Sequence, residues 1–241
     1  MSAAVSIPIA PVPASPVGVA SARGPRTHQA DAAASHRGRT GRLAVAVADG
    51  VGDSAAAAFA ARLVADHAVR VATLEGRVDT AVLAAHDVLH SAGDLAPGDA
   101  AAVVALAPGD GDPRWRLAWV GDCRALAWDG RGLRALTVDH TVAEQMRAWG
   151  LRVHPRLEHV LSTSVRTAGS RDVGVADVAG PGVVLLVSDG VHRSVPASAL
   201  AAALAAGGSA QARADRVVDV ATAAGTRDNA TALVVARPPL P

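Results

Sequence analysis

Three aspartates stand where apolar runs begin or end. Leu43, Val45 and Val47 alternate with small residues and lead into Asp49-Gly50-Val51-Gly52-Asp53. This is the pattern of a buried strand that runs out into a glycine-rich turn. The apolar run 183–187 leads through Ser188 to Asp189-Gly190, and Asp228-Asn229 opens the last apolar run, 230–236. A carboxylate at a strand end, followed by glycines that let backbone oxygens approach a ligand, suits a hard cation such as Mg²⁺ or Mn²⁺. Read alone, Asp-Gly-x-Gly is more often a strand and a tight turn. The recurrence changes the reading, because strand ends far apart in sequence can converge at one edge of a sheet stack. Acids without Cys or His ligands favour Mg²⁺ or Mn²⁺ over Zn²⁺. Two such ions close together can bridge one water, lower its pKa and clamp a phosphoryl group for in-line attack. Upstream, Arg26-Thr27-His28-Gln29-Ala30-Asp31 offers a guanidinium fork that matches phosphate oxygens and an acid, Asp31, that could hold a metal or its water. In isolation the same segment reads equally well as a solvated loop with ordinary charges. The chemistry these residues suggest is hydrolysis of a phosphate ester.

The elements that must position them follow from periodicity. A strand is expected at 17–22 and another leading to Asp49, with a turn at 37–41 between them. Helices are expected at 54–71, capped by Asp53 or Ser54, and at 78–90. Strands at 101–106, 115–120, 124–128 and 133–136 follow, broken by Gly121-Asp122 and by Asp129-Gly130, a strong hairpin signal. The middle of the chain therefore reads as an antiparallel meander. Thr141 with Glu144 forms a capping box for a helix over 141–149, stopped by Gly150. The irregular stretch 151–171 is either a lid beside a site or a long surface loop. Strands at 173–178 and 183–188, helices at 197–206 and 210–224, and a final strand at 230–236 complete an α+β chain with helices outside mainly antiparallel sheets. His67, His86 and His90 fall on the first two helices and read as surface or partly buried residues rather than as a shared metal site.

Composition narrows the class. The 241 residues suffice for one substantial domain. Half are hydrophobic, yet only four Trp and one Phe are aromatic, so the core must be built from Ala, Val and Leu. A formal net charge of +1 offers no argument for nucleic acid or an anionic membrane. The single cysteine, Cys123, excludes an internal disulfide and fits a reducing cytoplasm. No apolar run reaches the length of a membrane span. Residues 1–15, rich in Ala and Pro, read as a flexible tail, and the domain as 16–237.

The ordered set Arg26…Gln29-Ala30-Asp31, Val47-Ala48-Asp49-Gly50-Val51-Gly52, Trp119-Val120-Gly121-Asp122-Cys123-Arg124, Leu136-Thr137-Val138-Asp139-His140-Thr141, Leu186-Val187-Ser188-Asp189-Gly190 and Arg227-Asp228-Asn229-Ala230-Thr231 resembles the metal-dependent protein phosphatases (PPM, or type 2C), in particular the compact bacterial ones. The resemblance implies a sandwich of two antiparallel β-sheets flanked by helix pairs, in four layers, with a binuclear site at one end. It implies hydrolysis of phosphoserine and phosphothreonine by direct water attack with two Mn²⁺ or Mg²⁺ ions. On matching positions, Asp49 bridges both metals, the Gly50 carbonyl binds one, and Asp189 and Asp228 bind the other. Arg26 contacts the substrate phosphate, Asp31 holds a water on one of the ions, and Asn229 orients the Asp228 loop. The substrate would be a phosphorylated protein, a kinase target or the kinase itself, and the enzyme a monomeric cytoplasmic one in bacterial signalling. Segment 141–171 matches the variable flap.

Several positions depart from that pattern. Gln29-Ala30 stands where Asn-Glu/Gln is usual, and Asp53 adds a charge after Gly52. Val51 replaces a His found in some members, and Gly98-Asp99-Ala100 replaces Gly-Thr/Ser-Thr. Arg193 takes the place of an Asp that helps bind a third metal. A third ion is therefore not expected, and Arg193 could replace its charge or contact phosphate. These changes support an alternative reading, a phosphatase-fold module of little or no activity that binds a phosphorylated partner.

Overall fold

A computed structural model describes residues 15–93, 97–109, 112–180 and 182–236. The expected tail, apart from residue 15, and the expected domain end at 237 lie outside the described residues. The strands are β1 (Val17–Ala22), β2 (Asp31–Arg37), β3 (Leu43–Gly50), β4 (Ala100–Leu106), β5 (Arg114–Val120), β6 (Arg124–Trp128), β7 (Leu133–Ala135), β8 (Gly174–Ala179), β9 (Val183–Val187) and β10 (Ala230–Ala236). They form two five-stranded sheets ordered β1-β10-β9-β6-β7 and β2-β3-β4-β5-β8, with the strand pairs antiparallel. Helices α1 (Ala55–Glu75) and α2 (Asp79–Ala92) cover the second sheet. The short α3 (Val142–Ala148) and α4 (Asp189–His192) lie in connections, while α5 (Ala197–Ala205) and α6 (Ala210–Ala223) cover the first sheet. This is the expected α+β sandwich of four layers.

Residue size along β3 explains the layering. Successive side chains of a strand point to opposite faces. Ala44, Ala46 and Ala48 face the helices and pack with Ala60, Ala61, Ala65, Ala68 and Ala72 of α1. Methyl against methyl lets helix and sheet approach closely. Val45 and Val47 face the other way, into the core between the sheets, with Trp115, Leu117, Val184, Leu186, Leu233 and Val235. Burying each such Val or Leu contributes about 1.5–3 kcal/mol. By the same alternation Asp49 is the last member of the row Val45-Val47-Asp49, and so stands at the end of the space between the sheets.

Local signals end the elements where the backbone needs them. Ser54 caps α1 by accepting from the Ala57 amide, and Gly76 closes it in the left-handed region at φ 71°. Thr141 caps α3 through the Glu144 amide, as the capping-box pattern predicts.

Three features differ from the sequence reading. The segment before the turn at 38–41 is a strand, β2, although its alanines and polar residues carry little β-propensity; full pairing with β3 supplies what propensity lacks. The middle of the chain is not one meander. β4 and β5 pair, but at Gly121-Asp122-Cys123 the chain crosses to the other sheet, where β6 pairs with β7 and β9. Gly121 makes the crossing possible: its φ is 90°, and a Cβ there would collide with Ala101. Finally, a helical turn, α4, starts directly at Asp189. The Asp189-Gly190 end therefore differs from Asp49-Gly50, where four residues precede the next helix.

Candidate active site

At one end of the sandwich, elements from both sheets converge on a cleft of about 420 Å³. Among its lining residues are Arg26, Asp49, Gly50, Asp122, Asp189, Arg193, Asp228 and Asn229. The sequence-predicted residues are thus gathered, apart from Asp31, which lies in the wall behind. Asp31 sits opposite Asp49 in the β2–β3 register and is buried. Its Oδ2 accepts from Ser188 Oγ at 2.7 Å, while Oδ1 has no hydrogen-bond partner. Ser188 is held in turn by accepting from the Thr231 amide at 3.0 Å.

Two glycines keep the cleft compact for steric reasons. A Cβ on Gly50 would meet the Ala57 carbonyl in the first turn of α1, and one on Gly190 would overlap the Asn229 carbonyl oxygen. The Gly after each Asp is what allows neighbouring backbone to close over the site.

Asn229 ties the 23–30 loop to β10. Its Nδ2 donates to the carbonyls of Arg23 (2.7 Å) and His28 (3.0 Å), and its Oδ1 accepts from the Ala30 amide at 2.8 Å. Arg26, at the tip of that loop, donates from Nη2 to Asp228 Oδ2 at 2.5 Å and from Nε to the Arg227 carbonyl at 3.3 Å. Asp53, the added charge of the sequence reading, turns towards this loop. Its carboxylate accepts from the Thr27 and His28 amides at 2.8 and 2.7 Å, and these bonds lower its pKa to about 2. It is a clamp on the Arg26 loop. Asn229→Ala removes three bonds at once, two donated by its Nδ2 and one accepted by its Oδ1. We expect a loss of about 2 kcal/mol in a urea melt.

Charge is concentrated in the cleft. Burial raises the Asp31 carboxyl to about 7, against the help of Ser188. Burial, then the Asp122 and Asp228 charges, raise Asp189 to about 6. Burial and the neighbouring Asp31 push Asp49 well above the ordinary carboxylate range. Burial also raises Asp122, opposed by Arg193. Such carboxylates destabilise one another until a cation joins them. The acids fit a hard divalent cation: Asp31 Oδ1 and Asp189 Oδ1 are buried without hydrogen-bond partners, and carboxylate oxygens are the ligands such ions take. Among the described residues no three His, Cys, Asp or Glu side chains are grouped to hold one ion by themselves.

Two functional residues escaped the sequence reading. Asp122 lines the cleft at the end of β5, after Gly121, and its strand-end position was the signal that could have found it. Ser188 orients Asp31; nothing in the sequence distinguishes it from any serine at a strand end. Arg193 stands out in the sequence by its charge, and its contacts come only from the packing. Its Nε donates to Asp189 Oδ2 at 3.1 Å and its Nη2 to Asp122 Oδ2 at 2.7 Å.

The 151–171 segment forms one wall, through His159 and Leu161, with a 3₁₀ turn at Pro155–His159. Its base is anchored to Asp99, which accepts from Ser164 Oγ (2.5 Å) and from the Arg166 amide (2.9 Å). His86 and His90 of α2 bond to the Val165 and Arg166 carbonyls at 3.0 and 2.9 Å. A carbonyl only accepts, so each ring must present an N–H there; these histidines brace the segment. No helix among the described residues is long and apolar enough to cross a membrane.

No protein-family model matches the sequence, and no curated protein sequence does. Solved structures do match in shape. Serine/threonine phosphatase Stp1 from Staphylococcus aureus aligns with 92% of this chain and 94% of its own at 19% identity and a TM-score of 0.79. The PPM Ser-Thr phosphatase MsPP from Mycobacterium smegmatis, crystallised with cacodylate, aligns over 92% and 98% at 24% identity and a TM-score of 0.74. The catalytic domain of serine threonine protein phosphatase PstP, in complex with two manganese ions, aligns over 90% and 96% at 24% identity and a TM-score of 0.71. With two five-stranded sheets, flanking helix pairs and an acidic cleft at one end, this chain has the fold of the PPM serine/threonine phosphatases.

Proposed function

We propose that this chain is a metal-dependent protein phosphatase acting on phosphoserine and phosphothreonine. The observation that carries the reading is the convergence of Asp49, Asp189 and Asp228, from both sheets, on one cleft with Arg26 at its rim. Asp49 and the Gly50 carbonyl would hold one divalent ion and Asp189 with Asp228 a second, waters completing each, with Mn²⁺ and Mg²⁺ the fitting metals. Such ions supply a more acidic water and neutralise phosphoryl charge.

The chain's own residues do the rest. Arg26 binds the phosphate oxygens with its fork, and Asn229 and Asp53 keep it in place. Asp31, oriented by Ser188, offers its unpaired Oδ1 to hold water behind Asp49. His159 and Leu161, from the 151–171 wall, face the side chain that carries the phosphate. The substrate is a phosphorylated protein, either a kinase's target or the kinase.

One observation favours the second reading, a module that binds a phosphorylated partner without turnover. Arg26 and Arg193 occupy oxygens of Asp228 and Asp189, two of the acids the ions need. Hydrolysis of an aryl phosphate and of a phosphothreonine peptide, with Mn²⁺, with Mg²⁺ and with chelator, decides between them. We expect turnover that requires metal and is lost in Asp189→Asn. Phosphopeptide binding with no phosphate release, from folded and metal-loaded protein, would establish the binding module instead.

A further inference from the structure

Arg193 is the residue of the cleft that the proposed reaction leaves without a task. Its side chain is 16% exposed, between Asp122 at 7% and Asp189 at 16%. It binds one oxygen of each, Nη2 to Asp122 and Nε to Asp189. The bridge is built from both ends. Arg193 follows α4 directly, and its amide donates to the Asp189 carbonyl at 2.9 Å. The preceding His192 donates from Nε2 to the Asp122 carbonyl at 2.9 Å. The loop that carries Asp122 is therefore fastened to α4 by backbone as well as by charge.

We propose that Arg193 is a built-in counter-cation, doing for Asp122 and one oxygen of Asp189 what a divalent ion would otherwise do. A guanidinium keeps its charge at any pH a protein meets and presents its donors in a rigid fork. A cation covalently part of the chain does not exchange with solvent, so the Asp122 carboxylate stays neutralised whether or not metal is present. For an ion to take Asp122, a largely buried guanidinium bonded to two carboxylates must first be displaced. Asp122 is thereby withdrawn from metal binding, and the ions are confined to Asp49, Gly50, Asp228 and the free Oδ1 of Asp189. The inference rests on the metal-holding part of the reading above and not on turnover.

The test counts Mn²⁺ bound per chain by equilibrium dialysis, in the full-length protein and three variants. Asp122→Asn should bind as many ions as the parent with unchanged affinity, because Asp122 is not a ligand. Arg193→Met, which keeps the stem and removes the charge, should bind one ion more, and the added ion should vanish in Arg193→Met/Asp122→Asn. Arg193→Met should also melt lower than the parent in chelator and recover in Mn²⁺; folding that requires Mn²⁺ is the strong form of the same result. Loss of an ion, or of about tenfold in affinity, in Asp122→Asn alone would overturn the proposal, as would an Arg193→Met count equal to the parent's. An inactive parent with these counts intact would sink the phosphatase reading and leave the role of Arg193 standing.

Discussion

Asp49→Asn should yield a folded protein whose turnover of aryl phosphate, at saturating Mn²⁺, is lower by at least about a hundredfold. Asn keeps the shape of Asp and loses its charge, so it fills the place at the end of β3 but is a poor ligand for a divalent cation. A metal's stabilisation of developing charge amounts to several kcal/mol, and each 1.36 kcal/mol is tenfold in rate. The fold survives because it gains nothing from that charge. Asp49 has its pKa raised by burial and by Asp31 and Asp189, so the ionised form is the costly one in the metal-free protein. The same variant should therefore melt higher than the parent in chelator at neutral pH. Activity assays and circular-dichroism melts check both halves. Full metal-dependent turnover in Asp49→Asn would remove Asp49 from the site.

The metal-free protein should lose stability as pH rises from about 5 to about 7. Asp31 stands near 7 and Asp189 near 6 when folded, against an ordinary value of 3.8. Between the ordinary and the folded value, the folded state holds protons that the unfolded chain has released. Stability falls with pH wherever the folded state binds more protons, so the loss runs through this window, with Asp49 acting in the same direction. With 1.36 kcal/mol to each unit of pKa, the total is on the order of a few kcal/mol. Saturating Mn²⁺ should flatten or reverse the slope, since a cation that binds the ionised acids stabilises the folded state. Melting temperatures across this range, with chelator and with Mn²⁺, give the comparison. A metal-free melting temperature that climbs from pH 5 to 8 would show that these acids are not the buried, mutually repelling group described above.

The two predictions concern residues that differ in how far the sequence reveals them. Asp49 and Asp189 end apolar runs, and that pattern survives any rearrangement of the fold, because a strand must leave its core somewhere and a charged residue marks the place. β3 and β9 were legible for the same reason. β2 was not: its seven residues, Asp31–Arg37, have weak propensity and little alternation, and they are a strand because β3 offers a complete set of backbone partners. The jump of the chain between sheets after β5 was equally hidden. Gly121-Asp122 looks the same whether the next strand pairs with β5 or crosses the sandwich, and the crossing shows only in the pairing of β6 with β7 and β9.

The amino-acid sequence by itself determined the α+β class, the helix cap at Thr141, and the strand-end acids Asp49, Asp189 and Asp228 with Arg26. Each of these depends on neighbours a few residues away, where spacing alone sets geometry. Only the tertiary structure decided what those acids meet. Ser188 reaches Asp31 across 157 residues, Asn229 reaches Ala30 across 199, and Arg193 reaches Asp122 across 71. Whether a buried charge is repelled, hydrogen-bonded or neutralised depends on partners brought close by the packing of two sheets, and local spacing in the sequence carries no record of that distance.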